Sequence, residues 1–236
     1  MKILITGATG LLGSRFYHIF GKHYDVLGTY FSKPRREFHY LSLLDKRSVD
    51  SLIYKSKPDI VIHTAGIADP DKCEEDKEKA YEINVIGTEY IVDACQRNQA
   101  SFVFISSSHV FSDGKSSEKE KPDPINYYGQ TKVEAERYIR KNLEDYIILR
   151  PAKLYGFIED GEDFTKTVIR KIKNNDELRM DNTVRYYPVI TDDLVELTRK
   201  IIDSGFTGIY HISSSEPYTK FEWAKHKEGI SIERGP

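Results

Sequence analysis

The chain opens with a short apolar run, Lys2-Ile3-Leu4-Ile5-Thr6, that passes without a break into Gly7-Ala8-Thr9-Gly10-Leu11-Leu12-Gly13 and then into an amphipathic stretch ending near Phe20. Glycines at a three-residue spacing, set between a strand pattern and a helix pattern, constrain the fold more than any other feature. A strand and a helix joined by so tight a turn pack back on one another, which is how a parallel sheet is wound. The glycines also let the backbone come close to a ligand, and the N–H groups at the helix start favour a negative charge there. A pyrophosphate-bearing dinucleotide suits this arrangement, with Gly7, Thr9, Gly10, Leu11, Leu12 and Gly13 as its contacts.

The alternation continues along the chain. Further strands are expected at Asp25 to Tyr30, Asp59 to Thr64, Phe102 to Ser106, Tyr146 to Arg150 and Gly208 to Ile212, with helices near Asp45 to Lys55, Glu74 to Arg97, Tyr127 to Lys141, Phe164 to Asn174 and Asp192 to Asp203. Strands that read as near-continuous Ile, Val and Phe, each followed by a helix, mean a parallel sheet covered on both faces. The fold class is therefore α/β, a doubly wound parallel sheet of the NAD(P)-binding Rossmann type with a small C-terminal lobe. Residues 1–150 are expected to form the dinucleotide-binding domain. Residues 151–236 are expected to form a short substrate lobe, with the strand 208–212 returning to the sheet. The polar segment Ser112 to Pro124, with its Glu118-Lys119-Glu120-Lys121 run, reads as a solvated loop.

Composition narrows the function classes. The 236 residues carry 35 Lys and Arg against 37 Asp and Glu, a formal net charge of -2, which excludes bulk attraction to nucleic acid or anionic membrane as the main theme. The first apolar run is too short for a signal peptide, and nowhere is there an uninterrupted apolar stretch of about 18 residues or more. A soluble, cytoplasmic protein is expected, with no membrane and no nucleic acid among its partners. Cys73 and Cys95 match no disulfide framework and are expected as reduced thiols. No cluster has metal-ligand spacing, so no metal is expected.

The tip of the second strand, Thr29-Tyr30-Phe31-Ser32, lacks the acid that would accept hydrogen bonds from a ribose, and Lys33, Arg35 and Arg36 follow it. Those cations suit a 2′-phosphate, so NADPH is the expected cofactor, with NADH also accommodated. Further on, Tyr128 and Lys132 stand four residues apart, on one face of a helix. A nearby ammonium favours a phenolate, which draws the tyrosine toward proton transfer. Ser106-Ser107-Ser108 ends the preceding strand at the same sheet edge and could supply a hydroxyl to orient a carbonyl. His63 and His109 lie near that edge too, where a hydrogen-bonded structural role is at least as good a reading as a ligand contact. Asp192 and Asp193 are expected to cap the helix that runs to Asp203.

These residues resemble the extended short-chain dehydrogenases/reductases. The resemblance rests on Gly7/Gly10/Gly13, His63-Thr64-Ala65-Gly66, Asn84-Val85-Ile86-Gly87-Thr88, Ser106-Ser107-Ser108, Tyr128 to Lys132, and Leu149-Arg150-Pro151 with Tyr155-Gly156. Ile105 to Phe111 and Pro124 to Gly129 look most like the dTDP-4-dehydrorhamnose reductase branch. The resemblance implies that Ser107, Tyr128 and Lys132 are the catalytic triad, that Tyr128 and Lys132 also meet the cofactor, Lys132 at the nicotinamide ribose, and that Thr64, Ala65 and Gly66 line it. Three positions depart from the pattern. Ser42 replaces an acid of the adenine side, Lys153 replaces an aromatic that contacts sugar, and the lobe that starts a helix at Phe221-Glu222-Trp223 is short.

The expected function is reduction of a 4-keto sugar nucleotide by NAD(P)H, with Tyr128 as proton donor and Ser108, Lys153 and Arg185 on the substrate side. A nucleotide sugar is thus the expected small-molecule partner, and a homodimer is left open. Two alternatives stand beside it. One is a non-catalytic, NADP-binding regulatory protein like the methionine adenosyltransferase regulatory subunit of a related branch; the other is a sugar-nucleotide epimerase. A 4,6-dehydratase fits less well, because Ser108-His109 stands where that branch resembles an Asp-Glu pair.

Overall fold

The structure, a computed structural model, describes residues 1–112, 121–156, 164–174, 176–177, 180 and 182–222. Most of the Glu118 to Lys121 run and the stretch from Trp223 onward lie outside the described residues. In chain order the first half holds β1 (Lys2–Thr6), α1 (Leu11–Phe20), β2 (Asp25–Tyr30), β3 (His39–Tyr40), α2 (Lys46–Ser56), β4 (Ile60–His63), α3 (Pro70–Glu75), α4 (Lys77–Tyr81), a π-helical turn (Glu82–Ile86), α5 (Gly87–Asn98) and β5 (Ser101–Ile105). A 3-10 turn (Ser108–Val110), α6 (Tyr127–Asn142), β6 (Tyr146–Pro151), β7 (Leu154–Tyr155), α7 (Phe164–Lys173), β8 (Arg185–Tyr186), β9 (Val189–Ile190), α8 (Thr191–Asp203), β10 (Gly208–Ile212) and β11 (Tyr218–Thr219) follow.

Among the described residues seven strands form one sheet in the order β10-β6-β5-β4-β1-β2-β3, every pair parallel. The strand Gly208–Ile212 pairs with β6 at one edge of the sheet. Alternate strand residues feed two cores. Ile3, Ile5, Ile60, Ile62, Val103, Ile147 and Leu149 face Phe16 and Phe20 of α1 and Leu194 and Val195 of α8. Leu4, Val61, Phe102, Phe104 and Ile148 face the other way, toward Val49, Ile53, Ile91, Val92, Ala135 and Ile139 of α2, α5 and α6. Each buried Leu, Ile or Phe is worth roughly 1.5–3 kcal/mol of transfer free energy, so covering both faces is what holds the sheet.

Two expectations are corrected. The stretch Glu74 to Arg97 is not one helix. Asp76 leaves helical geometry at φ -137°, and its side chain accepts from the Lys79 N–H to start α4, which the π turn then carries into α5. Nor do Asp192 and Asp193 cap α8: its N-cap is Ile190, without a side-chain cap, and both acids sit in the first turn, where they favour the helix dipole. Asp192 does a second thing. It takes a bidentate pair from Arg15, at 2.6 and 2.7 Å, tying α8 to α1.

The turn after β1 leaves no room for a side chain at Gly13. Gly7 has φ +69°, and a Cβ on Gly13 would lie 2.2 Å from the Gly7 carbonyl oxygen and 2.7 Å from the Thr64 hydroxyl. A Gly13→Ala variant is therefore expected to lose about 3 kcal/mol in urea unfolding, the upper end of overpacking costs. Gly10→Ala, whose Cβ would meet only the Gly7 oxygen at 3.3 Å, is expected to lose clearly less; equal losses would contradict the packing account.

Candidate active site at the carboxyl edge of the sheet

The glycine turn is held from two sides. The Gly7 N–H donates to the Thr29 hydroxyl at 3.2 Å and the Ala8 N–H to the Thr29 carbonyl at 2.8 Å. From β4 the Thr64 hydroxyl donates to the Thr6 carbonyl at 2.6 Å. The N-cap of α1 is Gly10, which brings no side-chain cap. Helix geometry leaves the first-turn N–H groups of Leu11, Leu12 and Gly13 without intrahelical partners, and Gly10, which precedes them, is exposed. The cradle fits a dinucleotide pyrophosphate: narrow where a Cβ would strike backbone, open where phosphate would enter. Thr9 lies in the same turn, and Ala65 packs against Gly7.

Behind the cradle a buried hydrogen-bonded chain links the strand ends. His63 Nδ1 is 2.7 Å from the Thr6 hydroxyl and Nε2 is 3.1 Å from the Thr88 hydroxyl. Thr88 gives its own proton to the Asn84 carbonyl at 2.7 Å, so Thr88 accepts from Nε2–H, and Nδ1 accepts from Thr6. The imidazole is thus neutral, and burial, with the Lys132 charge adding, drives its pKa down to about 3. His63 is structural. Asn84 extends the chain through its side chain: Oδ1 accepts from Ile67 N–H at 2.8 Å, and Nδ2 donates to the Ile67 carbonyl at 3.0 Å and the Thr131 hydroxyl at 3.2 Å. It thereby fastens the segment after Gly66 to α6.

Ser107, Tyr128 and Lys132 come together at the end of β5. All three are buried, at 7, 7 and 8% exposure. Asn126 caps α6 through the Gly129 N–H at 2.8 Å. Lys132 Nζ donates to the Ile105 carbonyl at 2.9 Å and lies over the rings of Phe104 and Tyr128, at 4.7 and 5.7 Å from their centroids. Burial pushes the Tyr128 phenol up to about 12, with the Ser107 hydroxyl acting in the opposite sense. The lowering expected from Lys132 is not found: burial dominates, and the ammonium is engaged by the Ile105 carbonyl. Burial also brings Lys132 down to about 8, with Glu136 opposing. At neutral pH the site holds a protonated phenol beside an ammonium.

The remaining candidates lie around this centre. His109 meets the Tyr128 ring edge-on at 5.7 Å, and its Nδ1 pairs with the Asn126 amide at 2.9 Å. Its pKa is lowered by burial and by the Lys153 charge, so the exposed Lys153 ammonium acts on the same corner of the cleft. Ser108 opens the 3-10 turn after Ser107. Arg185 is farther along, in β8, where it donates to the Pro217 carbonyl at 3.1 Å and pairs with Glu222 at 3.0 Å. Lys33 and Arg36 are exposed and Arg35 half-buried, beyond the end of β2. Thr6, Thr29 and Glu136 were not among the candidates; only pairing across the fold reveals them. Among the described residues no group of His, Cys, Asp and Glu could hold a metal ion, and no helix is long and apolar enough to cross a membrane. Cys73 and Cys95 are free and buried.

A parallel sheet with a glycine cradle at one strand end and a Ser, Tyr and Lys set two strands away defines an extended short-chain dehydrogenase/reductase. Comparison with known proteins makes this specific: the chain belongs to the family described as the RmlD substrate binding domain, which matches residues 1–227. It is 37% identical over 232 residues to methionine adenosyltransferase 2 subunit beta of Xenopus tropicalis, covering 94% of this chain and 69% of that protein. It is 33% identical over 228 residues to the spore coat polysaccharide biosynthesis protein SpsK of Bacillus subtilis, covering 94% and 77%. The crystal structure of dTDP-4-dehydrorhamnose reductase from Bacillus anthracis, in complex with NADP, superposes with a TM-score of 0.85 at 30% identity, covering 95% of this chain and 78% of that one.

The neutral His63 has a measurable consequence. Its folded pKa is depressed, so between the usual value of 6.5 and about 3 the unfolded chain binds a proton that the folded chain does not. Stability is lost as pH falls through that window, at about 1.4 kcal/mol per pH unit from this group. Urea unfolding at pH 7, 6 and 5 is expected to show a shallower acid slope for His63→Asn than for wild type; parallel slopes would mean that His63 is not held neutral.

Proposed function

We propose that the protein is an NAD(P)H-dependent reductase of a 4-keto sugar nucleotide, with residues 1–150 serving the cofactor and the residues after 150 the substrate. The observation that carries this reading is the gathering of Tyr128, Ser107 and Lys132, all buried, at the sheet edge that bears the glycine cradle. Reduction of a carbonyl needs a proton donor, and the Tyr128 phenol carries its proton at neutral pH; burial alone makes it a weaker acid, so the Lys132 ammonium has to steady the phenolate as it forms. The bound nicotinamide supplies the hydride. Ser107 holds the carbonyl oxygen, Tyr128 gives it the proton, and the phenolate left behind is stabilised by the Lys132 ammonium until solvent restores the proton.

The glycine turn, with Thr64, Ala65 and Gly66, holds the dinucleotide, and Lys132 meets its ribose. Lys33, Arg35 and Arg36 favour the 2′-phosphate. Lys153, whose charge reaches His109, and Ser108 stand on the substrate side. Arg185 serves the substrate only if it leaves Glu222. The relatives named for dTDP-4-dehydrorhamnose reduction and for spore coat polysaccharide synthesis support a sugar substrate.

A second reading is favoured by the 37% identity to methionine adenosyltransferase 2 subunit beta: a cofactor-binding regulatory subunit without turnover. Oxidation of NADPH against a panel of 4-keto sugar nucleotides separates the two. Turnover is expected, and Tyr128→Phe should lower it by about 10²–10⁴-fold while leaving cofactor affinity nearly intact. Tight NADPH binding, no turnover with any sugar, and altered kinetics of a methionine adenosyltransferase catalytic subunit would establish the regulatory reading instead.

Cofactor preference is a separate test. Fluorescence titration is expected to give tighter binding of NADPH than of NADH, with the difference reduced in an Arg35→Ala/Arg36→Ala variant. Equal affinities in the wild type would remove these cations from the cofactor site.

A further inference from the structure

Glu136 is 2% exposed, one helical turn beyond Lys132 on the buried face of α6. Its Oε1 accepts from the Ser106 hydroxyl at 2.5 Å and from Arg150 Nε at 2.9 Å; its Oε2 accepts from Arg150 Nη2 at 2.5 Å. Arg150 is 3% exposed, stacks over Phe111 at 5.1 Å and lies 3.5 Å from His211 Nε2. Stability alone gives little reason for such a pair, since well-packed apolar side chains in the same space are often as good or better. Its position gives one. Three successive residues at the end of β5 are met by one face of α6: Ile105 by Lys132, Ser106 by Glu136, Ser107 by Tyr128.

We propose that Glu136 is a positioning residue of this site, which seats the Ser107 end of β5 against α6 and keeps the buried Lys132 in its ammonium form. This rests on the reading of Lys132 as the cofactor-binding and phenolate-stabilising cation. The groups that face Lys132 are Tyr128 and Glu136 from α6, Phe104 and the Ile105 carbonyl from β5, His63 from β4 and Cys73 from α3, with Arg150 of β6 behind Glu136. His63 is neutral, and burial keeps the Tyr128 phenol and the Cys73 thiol protonated. Glu136 is the first of the groups that oppose the desolvation of Lys132, with Cys73 after it.

Lysine labelled with ¹³C at its ε carbon reports the Lys132 titration by NMR, the signal being assigned by its loss in Lys132→Met. Glu136→Gln is expected to move the midpoint down by about one pH unit or more. Arg150→Met, which leaves the carboxylate without its guanidinium, is expected to move it up. A merely structural role would not produce shifts of opposite sign. Should either single variant fail to fold, Glu136→Gln/Arg150→Met leaves neither charge buried alone, and its midpoint is expected below that of the wild type. An unchanged midpoint in the variants that fold overturns the proposal. NADPH titration of the wild type at pH 7 reads the underlying assignment separately: no binding there, with the Lys132 midpoint moving as described, would overturn the cofactor reading and leave the role of Glu136 standing.

Discussion

The seating of α6 on the end of β5 is the contact on which the rest of the site depends. A strand end has carbonyl groups with no further strand residue to bond, and here they meet a helix whose inward face carries Tyr128, Lys132 and Glu136 at four-residue intervals. The Lys132 bond to the Ile105 carbonyl and the Ser106 bond to Glu136 fix both the helix and the strand end. Ser107, the next residue, is then delivered to Tyr128 without a loop of its own to order. Tyr128 and Ser107 are thus held by two packed elements, a helix and a strand end, and not by a loop.

The glycine-cradle side uses neutral hydrogen bonds where the Tyr128 side uses charge. Thr6, His63, Thr88 and Asn84 form one buried chain from β1 through β4 to α5, and Asn84 carries it on to Thr131 of α6. Each donor in that chain has an acceptor, which is the condition under which a buried polar network adds order and not strain. The glycine cradle and the Tyr128 face are in this way parts of one framework. The π turn has a place in it, because it sets Asn84 within reach of both Ile67 and Thr131.

Much of this was legible in the sequence, and what was missed has a physical cause. Strands such as Lys2–Thr6, Asp25–Tyr30 and Gly208–Ile212 were readable to the residue because an all-parallel sheet demands near-continuous apolar runs. His39–Tyr40 was not, since a two-residue edge strand has no pattern to show. The stretch Glu74 to Arg97 kept a helical period through Asp76 although that residue breaks the helix, so periodicity alone could not see the cap. The four-residue spacing of Tyr128 and Lys132 was enough to put them on one helix face, though not to assign them a role. Glu136 gave no such signal, because its partners Ser106 and Arg150 come from two other strands, and Arg15 meets Asp192 only once the chain has folded.

The central claim is that this framework delivers a hydride and a proton to a sugar carbonyl. Its most direct measurement uses NADPH deuterated at the transferable position together with a dTDP-4-keto sugar, followed by mass spectrometry of the nucleotide sugar. The account predicts an alcohol product carrying one deuterium at the former carbonyl carbon. A sugar recovered unreduced, or reduced without the label, would contradict it.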